Sequence, residues 1–237
     1  MHPLNAEVVL FDGFDLLDVV APYEVLLHGG EVAGGALTVR LVSAEGARDV
    51  PSGAGPVLRA EAALDPARAD VIVVPGASGP VDDPLETGRD TIPVLLARTL
   101  DTPLPGLVGR ALDGGTATVA AVCGGSLALA MAGLLVDRHA VTHHLGMPLL
   151  EATGARPVAA RVVDDGNLVT AGGVTSGLDL GLYLLERHLG PRVARAVEET
   201  FAYERRGTVW RSTGLDPASV DDPASFREAV GSVGSAA

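Results

Sequence analysis

Cys123 is the only cysteine in the 237-residue chain, and the sequence changes character around it. Upstream, residues 116–122 are β-branched or small, and nearly all are apolar. Downstream, Gly124-Gly125-Ser126 leads into an Ala/Leu-rich helical pattern. A strand that turns sharply into a helix lifts the junction side chain above the end of a sheet. There it lies beside backbone N–H groups that no helical carbonyl satisfies. Such a setting biases a thiol toward thiolate, the nucleophilic form. Gly124 and Gly125 leave room for a substrate and permit the dihedrals of a tight elbow. A free cysteine in an apolar run otherwise reads as a small buried hydrophobe. The strand–Cys–Gly–Gly–helix context carries the chemical reading.

Other chemistry is narrowed by composition. All 17 basic residues are arginine, so no Schiff-base or phosphate-loop lysine exists. No Gly-x-Gly-x-x-Gly fingerprint appears, and no cofactor is expected. His143 and His144 could move protons near neutral pH. As sequence neighbours they are expected to point apart, and with one cysteine no metal site is expected. The formal charge of −13 argues against nucleic acid and against an anionic membrane surface. One cysteine, no basic leader followed by an apolar core, and no long apolar run point to a cytoplasmic protein.

The elements that must position these groups follow from apolar patterning. Residues 7–11 read as a buried parallel strand. Residues 14–27 have helical spacing that Gly29-Gly30 ends, and Pro22 fits the first turn if the helix starts near Asp18. Residues 37–43 form a second strand, and residues 50–58 an irregular stretch or short hairpin. The clearest strand is Val71-Ile72-Val73-Val74, which runs into the small-residue turn Gly76-Ala77-Ser78-Gly79. Within the Pro- and Gly-punctuated residues 81–115, a helix is predicted over 91–100. Strands at 158–163 and 168–171 are joined by a turn at 164–167. A helix opens at Thr175-Ser176-Gly177-Leu178-Asp179 and stops at Gly190-Pro191, and another covers 192–205. The reading is one α/β domain over 1–211 and an acidic tail over 212–237, with a short helix at 223–230 before a disordered end. Alternating strands and helices build a sandwich with a mostly parallel sheet, whose ligand site lies at the strands' carboxyl ends. The turns after Phe11 and Pro75 and the elbow at Cys123 belong on one such rim.

Four motifs in order carry a resemblance: Leu17-Asp18-Val19-Val20-Ala21-Pro22-Tyr23-Glu24, Val73-Val74-Pro75-Gly76, Val122-Cys123-Gly124-Gly125-Ser126-Leu127 with Ala132-Gly133-Leu134-Leu135, and Ala171-Gly172-Gly173-Val174-Thr175-Ser176-Gly177-Leu178-Asp179. The chain resembles the ThiJ/PfpI superfamily, a flavodoxin-like three-layer α/β sandwich related to class I glutamine amidotransferases. Within it, the isonitrile hydratase branch and the amidase-like sensor domains of transcription regulators are most similar. The resemblance implies that Cys123 is the elbow nucleophile and Asp18 its carboxylate partner, and that the chain forms a homodimer. It also implies an oxyanion pocket of backbone N–H groups at Gly76, Ala77, Gly124 and Gly125. Read from its own surroundings, Asp18 is a helix N-cap, and Asp12 and Asp15 are turn and surface groups. His143 and His144 align with the family's Thr-His-Trp segment, with His144 in place of tryptophan. Asp179 opens a helix lining the family's cleft and reads as an N-terminal helix charge.

The chain departs from the hydratase branch at Gly124, where a threonine usually follows the nucleophile. It also has Val19-Val20-Ala21 where that branch tends to Leu-Thr-Gly, and no histidine directly follows Cys123. The reading that results is a cofactor-independent cysteine enzyme acting on a small electrophilic metabolite, a hydratase or hydro-lyase of the isonitrile hydratase type. One alternative is a non-catalytic ligand- or oxidation-sensing domain. Another is glyoxalase- or deglycase-like action on reactive carbonyls. The acidic stretch after residue 206 is too short and too negative for a helix-turn-helix pair, which argues against a DNA-binding regulator.

Overall fold

In the computed structural model, which describes residues 3–82 and 90–214, strand β1 (Leu4–Leu10) is buried from Ala6 onward. That is the fate of a near-continuous apolar run in a sheet covered on both faces. Its one charged side chain, Glu7, is fully buried and takes the Arg40 guanidinium and the Asp65 N–H (2.9 Å). Helix α1 (Leu16–Val32) follows, then β2 (Leu37–Ser43), an antiparallel hairpin of β3 (Arg48–Pro51) and β4 (Val57–Ala60), short β5 (Ala62–Ala63) and β6 (Val71–Val74). Helices α2 (Ile92–Arg98) and α3 (Leu104–Gly114) precede β7 (Thr118–Val122) and α4 (Gly124–Met131). The chain then runs through β8 (His139–Ala140), α5 (Met147–Ala152), β9 (Arg156–Pro157), β10 (Val162–Asp165) and β11 (Leu168–Ala171). It continues through α6 (Ser176–Leu189), α7 (Pro191–Phe201) and β12 (Trp210–Arg211).

The main sheet has the order β12-β10-β11-β7-β6-β1-β2-β5, and every neighbouring pair is parallel except β10 with β11. Helix α1 packs on α6 and α7, while α4 packs against α2 and α5, so the sheet lies between helical layers. This is the α/β, flavodoxin-like arrangement with a mostly parallel sheet. After β1 the chain adds β2 on one side and later β6 on the other. The order therefore reverses at the carboxyl ends of β1 and β6, where open α/β sheets leave a crevice. The three expected turns do share that rim. Asp15 N–H donates to the Gly76 carbonyl (2.8 Å), and Ser78 N–H to that of Gly13 (3.0 Å).

Several elements differ from the sequence reading. Helix α1 begins at Leu16, so Pro22 lies inside it rather than in its first turn. Gly29 and Gly30 do not end the helix, which runs on to Val32. They are packing glycines: a methyl on Gly30 would sit 2.2 Å from the Leu37 carbonyl oxygen, and one on Gly29 2.3 Å from Leu185. The strand placed over 158–163 is displaced to Val162–Asp165. Helix α7 stops at Phe201, where Ala202 adopts a left-handed conformation. The helix assigned to 223–230 lies outside the described residues. Among the described residues no helix is long and apolar enough to cross a membrane.

Candidate active site

Strand β7 delivers Cys123 to the rim at φ 54°, ψ −124°, a conformation that non-glycine residues hold only when their surroundings impose it. Two hydrogen bonds do so. Cys123 N–H donates to the Ala171 carbonyl of β11 (2.9 Å), and the Thr142 hydroxyl donates to the Cys123 carbonyl (2.6 Å). Behind the elbow, a methyl on Gly125 would lie 2.3 Å from the Val74 carbonyl oxygen. The glycine therefore lets α4 press directly on the end of β6. The half-buried sulfur faces a cavity of about 370 Å³ between β6, α2 and the segment after β8. Its wall is mostly apolar, with Ile92, Pro93, Leu127, Leu145, Leu149 and Val174 among its residues.

Asp18 is not the cap of α1. Asp15 is: its Oδ1 accepts from Leu17 N–H (2.9 Å) and Asp18 N–H (3.3 Å). That frees the Asp18 side chain, one turn in, to point inward, where it is fully buried. Its Oδ2 accepts the Gly76 N–H at 2.9 Å, and Oδ1 has no partner. The bare Gly76 lets the acid and the elbow crowd the same point, since a methyl there would lie 2.8 Å from Asp18 Oδ2 and 2.7 Å from Gly124 N. Gly76 N–H thus holds the acid and leaves the expected oxyanion donors. Ala77 N–H remains, together with the N–H groups of Gly124 and Gly125, which lie in the first turn of α4 where no intrahelical acceptor exists.

Burial first, and the Asp15 charge second, push the Asp18 carboxyl up to about 8, against the Gly76 hydrogen bond that favours ionisation. Cys123 does not have the lowered affinity for its proton that its place at a helix start suggested. Burial and the Asp18 charge push the thiol up to about 12, and the Gly124 N–H offsets this only in part. Two like charges this close cannot both form in an apolar site, so the pair keeps its protons at neutral pH. The carboxyl has a consequence for stability. From its unfolded value of about 3.9 up to about 8, the native state holds a proton that the unfolded chain releases. Its contribution is fully present below that window and is lost as pH rises through it. Asp18→Asn is expected to flatten the fall in stability across this range. Urea midpoints of both proteins at several pH values check it, and parallel slopes would refute it.

His143 lines the same cavity as Cys123. Burial and His144 lower its proton affinity, so the ring is neutral at neutral pH. Its Nδ1 accepts from Leu145 N–H (3.3 Å), which assigns the proton to Nε2 and makes that nitrogen a donor. His144 lines a separate cavity with Thr142 and Arg161. The two rings do not diverge as expected, because their centroids are 4.2 Å apart. Among the described residues no three His, Cys, Asp or Glu side chains converge as a metal site. Asp179 lies off the cavity. Its buried carboxylate takes Arg161 Nε (2.5 Å), the Tyr203 hydroxyl (2.9 Å) and Arg206 N–H (2.8 Å), and so ties the start of α6 to the segment after α7.

Sequence reasoning missed Asp15 and Leu96. Asp15 lines the cavity, and its signal was an acid three residues before Asp18, the spacing of a cap to its first turn. Leu96 lies 3.2 Å from where a side chain at Gly124 would begin. Nothing in the local sequence pairs those two positions.

The profile of the DJ-1/PfpI family matches residues 99–187. The isonitrile hydratase of Pseudomonas putida is 33% identical over 84% of this chain and 78% of its own length. The chain belongs to the DJ-1/PfpI family. A second relative of this DJ-1/PfpI chain is the HTH-type transcriptional regulator GbdR of Pseudomonas aeruginosa, 28% identical over 86% of this chain but only 52% of the regulator. An enzyme and a regulator are thus both similar to this chain. Drosophila melanogaster DJ-1beta shares the DJ-1/PfpI fold with a TM-score of 0.68 at 21% identity, over 85% of this chain and 99% of its own.

Proposed function

We propose that the protein is a cofactor-independent hydratase that adds water to the terminal carbon of a small isonitrile, with Cys123 as nucleophile and Asp18 as proton carrier. The observation that carries this reading is a lone thiol coupled to a carboxyl that burial keeps protonated at neutral pH. Hydrating an isonitrile puts a proton and a nucleophile on the same carbon, and the pair offers both. In the first half-reaction the Asp18 O–H breaks and a C–H bond forms as sulfur closes a C–S bond to that carbon. The thiol proton passes to the carboxylate, leaving a thioimidate. Water then adds across the C=N bond, its oxygen joining carbon while nitrogen gains a proton. Collapse breaks the C–S bond, returns a proton to sulfur and releases an N-substituted formamide. The sum is isonitrile plus water. Ala77 and Gly124 N–H groups are the donors for charge developing on oxygen, and the apolar wall suits the substituent on nitrogen. The 33% identity to an isonitrile hydratase supports the same reading.

The test is incubation of the purified chain with n-butyl isonitrile in ¹⁸O-water and no added cofactor. N-butylformamide carrying ¹⁸O is expected, and its absence would sink the proposal. Ligand sensing without turnover is a second reading, favoured by the similarity to a regulator. Saturable isonitrile binding with no formamide would select it. Oxidation sensing is weakened, because a thiol that resists ionisation reacts slowly with peroxide.

A further inference from the structure

We infer that Asp15 is a specificity-determining residue, whose carboxylate biases the Cys123 cavity toward compact, mainly apolar molecules bearing an N–H or ammonium group and against carboxylates and sulfonates. The inference rests on the proposed use of this cavity as the substrate site. Asp15 and Cys123 line it together. Capping α1 engages only Oδ1 of Asp15, and it fixes the side chain at the wall. Oδ2 makes no hydrogen bond among the described residues and is available to accept one.

No cationic side chain among the described lining residues pairs with that charge. The described lining residues include no arginine, and the chain has no lysine. His143 is kept neutral. Arg48, on the hairpin, is paired with Asp12 and Glu45, and Arg98, at the end of α2, is paired with Asp90. An anion entering the cavity therefore meets a carboxylate with no cationic side chain beside it among the described residues, between apolar walls that screen charge less than water does. An N–H donor instead gains a charge-assisted hydrogen bond to Oδ2.

Cys123 reports on this directly, because it is the only thiol in the chain. Labelling rates with 2-aminoethyl methanethiosulfonate and 2-sulfonatoethyl methanethiosulfonate are measured by intact mass and divided by those of free cysteine. The corrected ratio is expected to favour the ammonium reagent by about tenfold or more in the wild type, and to shrink as salt is added. Asp15→Asn should cut that preference several-fold. Asparagine caps a helix as well as aspartate does, and any change in thiol ionisation cancels in the ratio. Asp113→Asn removes the same charge from an exposed site on α3 and should leave the ratio alone. An unchanged ratio in Asp15→Asn, an equal fall in Asp113→Asn, or no labelling by either reagent would each overturn the inference. A chain that makes no formamide yet shows the Asp15-dependent ratio overturns the proposed reaction alone.

Discussion

Cys123→Ala is expected to lower isonitrile hydration by at least about a thousandfold, the scale seen when a nucleophile that acts with its proton partner is removed. The variant should keep a native unfolding transition. Alanine adds no atom to the elbow, and the hydrogen bonds from Cys123 N–H to Ala171 and from Thr142 to the Cys123 carbonyl involve only the backbone at 123. Asp18→Asn is expected to cost roughly a hundredfold or more, because an amide can accept a hydrogen bond but cannot deliver and recover a proton. In the wild type, the rate should decline as pH rises past about 8, where the carboxyl loses the proton it must give. Formamide production measured by mass spectrometry, beside circular dichroism of each variant, checks all three statements. Undiminished turnover in Cys123→Ala would end the covalent mechanism.

Gly125→Ala is expected to destabilise the protein by about 3 kcal/mol or more, at or beyond the upper end for overpacking. The added methyl would lie 2.3 Å from the Val74 carbonyl oxygen and 2.8 Å from that of Pro75. Both neighbours are backbone, so no rotamer change relieves the overlap, and α4 must lift from β6. For a chain of this size the loss corresponds to a Tm lower by roughly 6–12 °C. Gly106→Ala is the matched control. It lies in α3 with only Arg110 Nη1 near, at 3.9 Å, so alanine should be neutral or slightly stabilising there. Differential scanning calorimetry of both variants decides the matter, and equal melting temperatures would refute the packing account.

Much of the architecture was legible because its signals are local. Val71-Ile72-Val73-Val74 cannot be other than buried, and it became β6 at the sheet's centre. The change from β-branched to Ala/Leu-rich residues across Cys123 located the elbow within a residue. Errors arose where a residue's meaning depended on what lay opposite it. Gly29-Gly30 looked like a helix stop because nothing nearby in sequence reveals Leu185 and the Leu37 carbonyl pressing on them. Asp18 looked like a cap, yet Asp15 fills that role. Asp179 does sit in the first turn of its helix, as read, but nothing near it in sequence reveals that Arg161, Tyr203 and Arg206 converge on it from other segments.

The amino-acid order by itself determined the parallel sheet, the bend at Cys123 and the family, because periodicity and short motifs are properties of neighbouring residues. Only the tertiary structure decided the chemistry of the site. Whether Cys123 and Asp18 hold their protons depends on how much water surrounds them and how near their charges lie. Both are set by β6, α1 and α4 meeting at Gly76 and Gly124, and no linear spacing encodes that meeting.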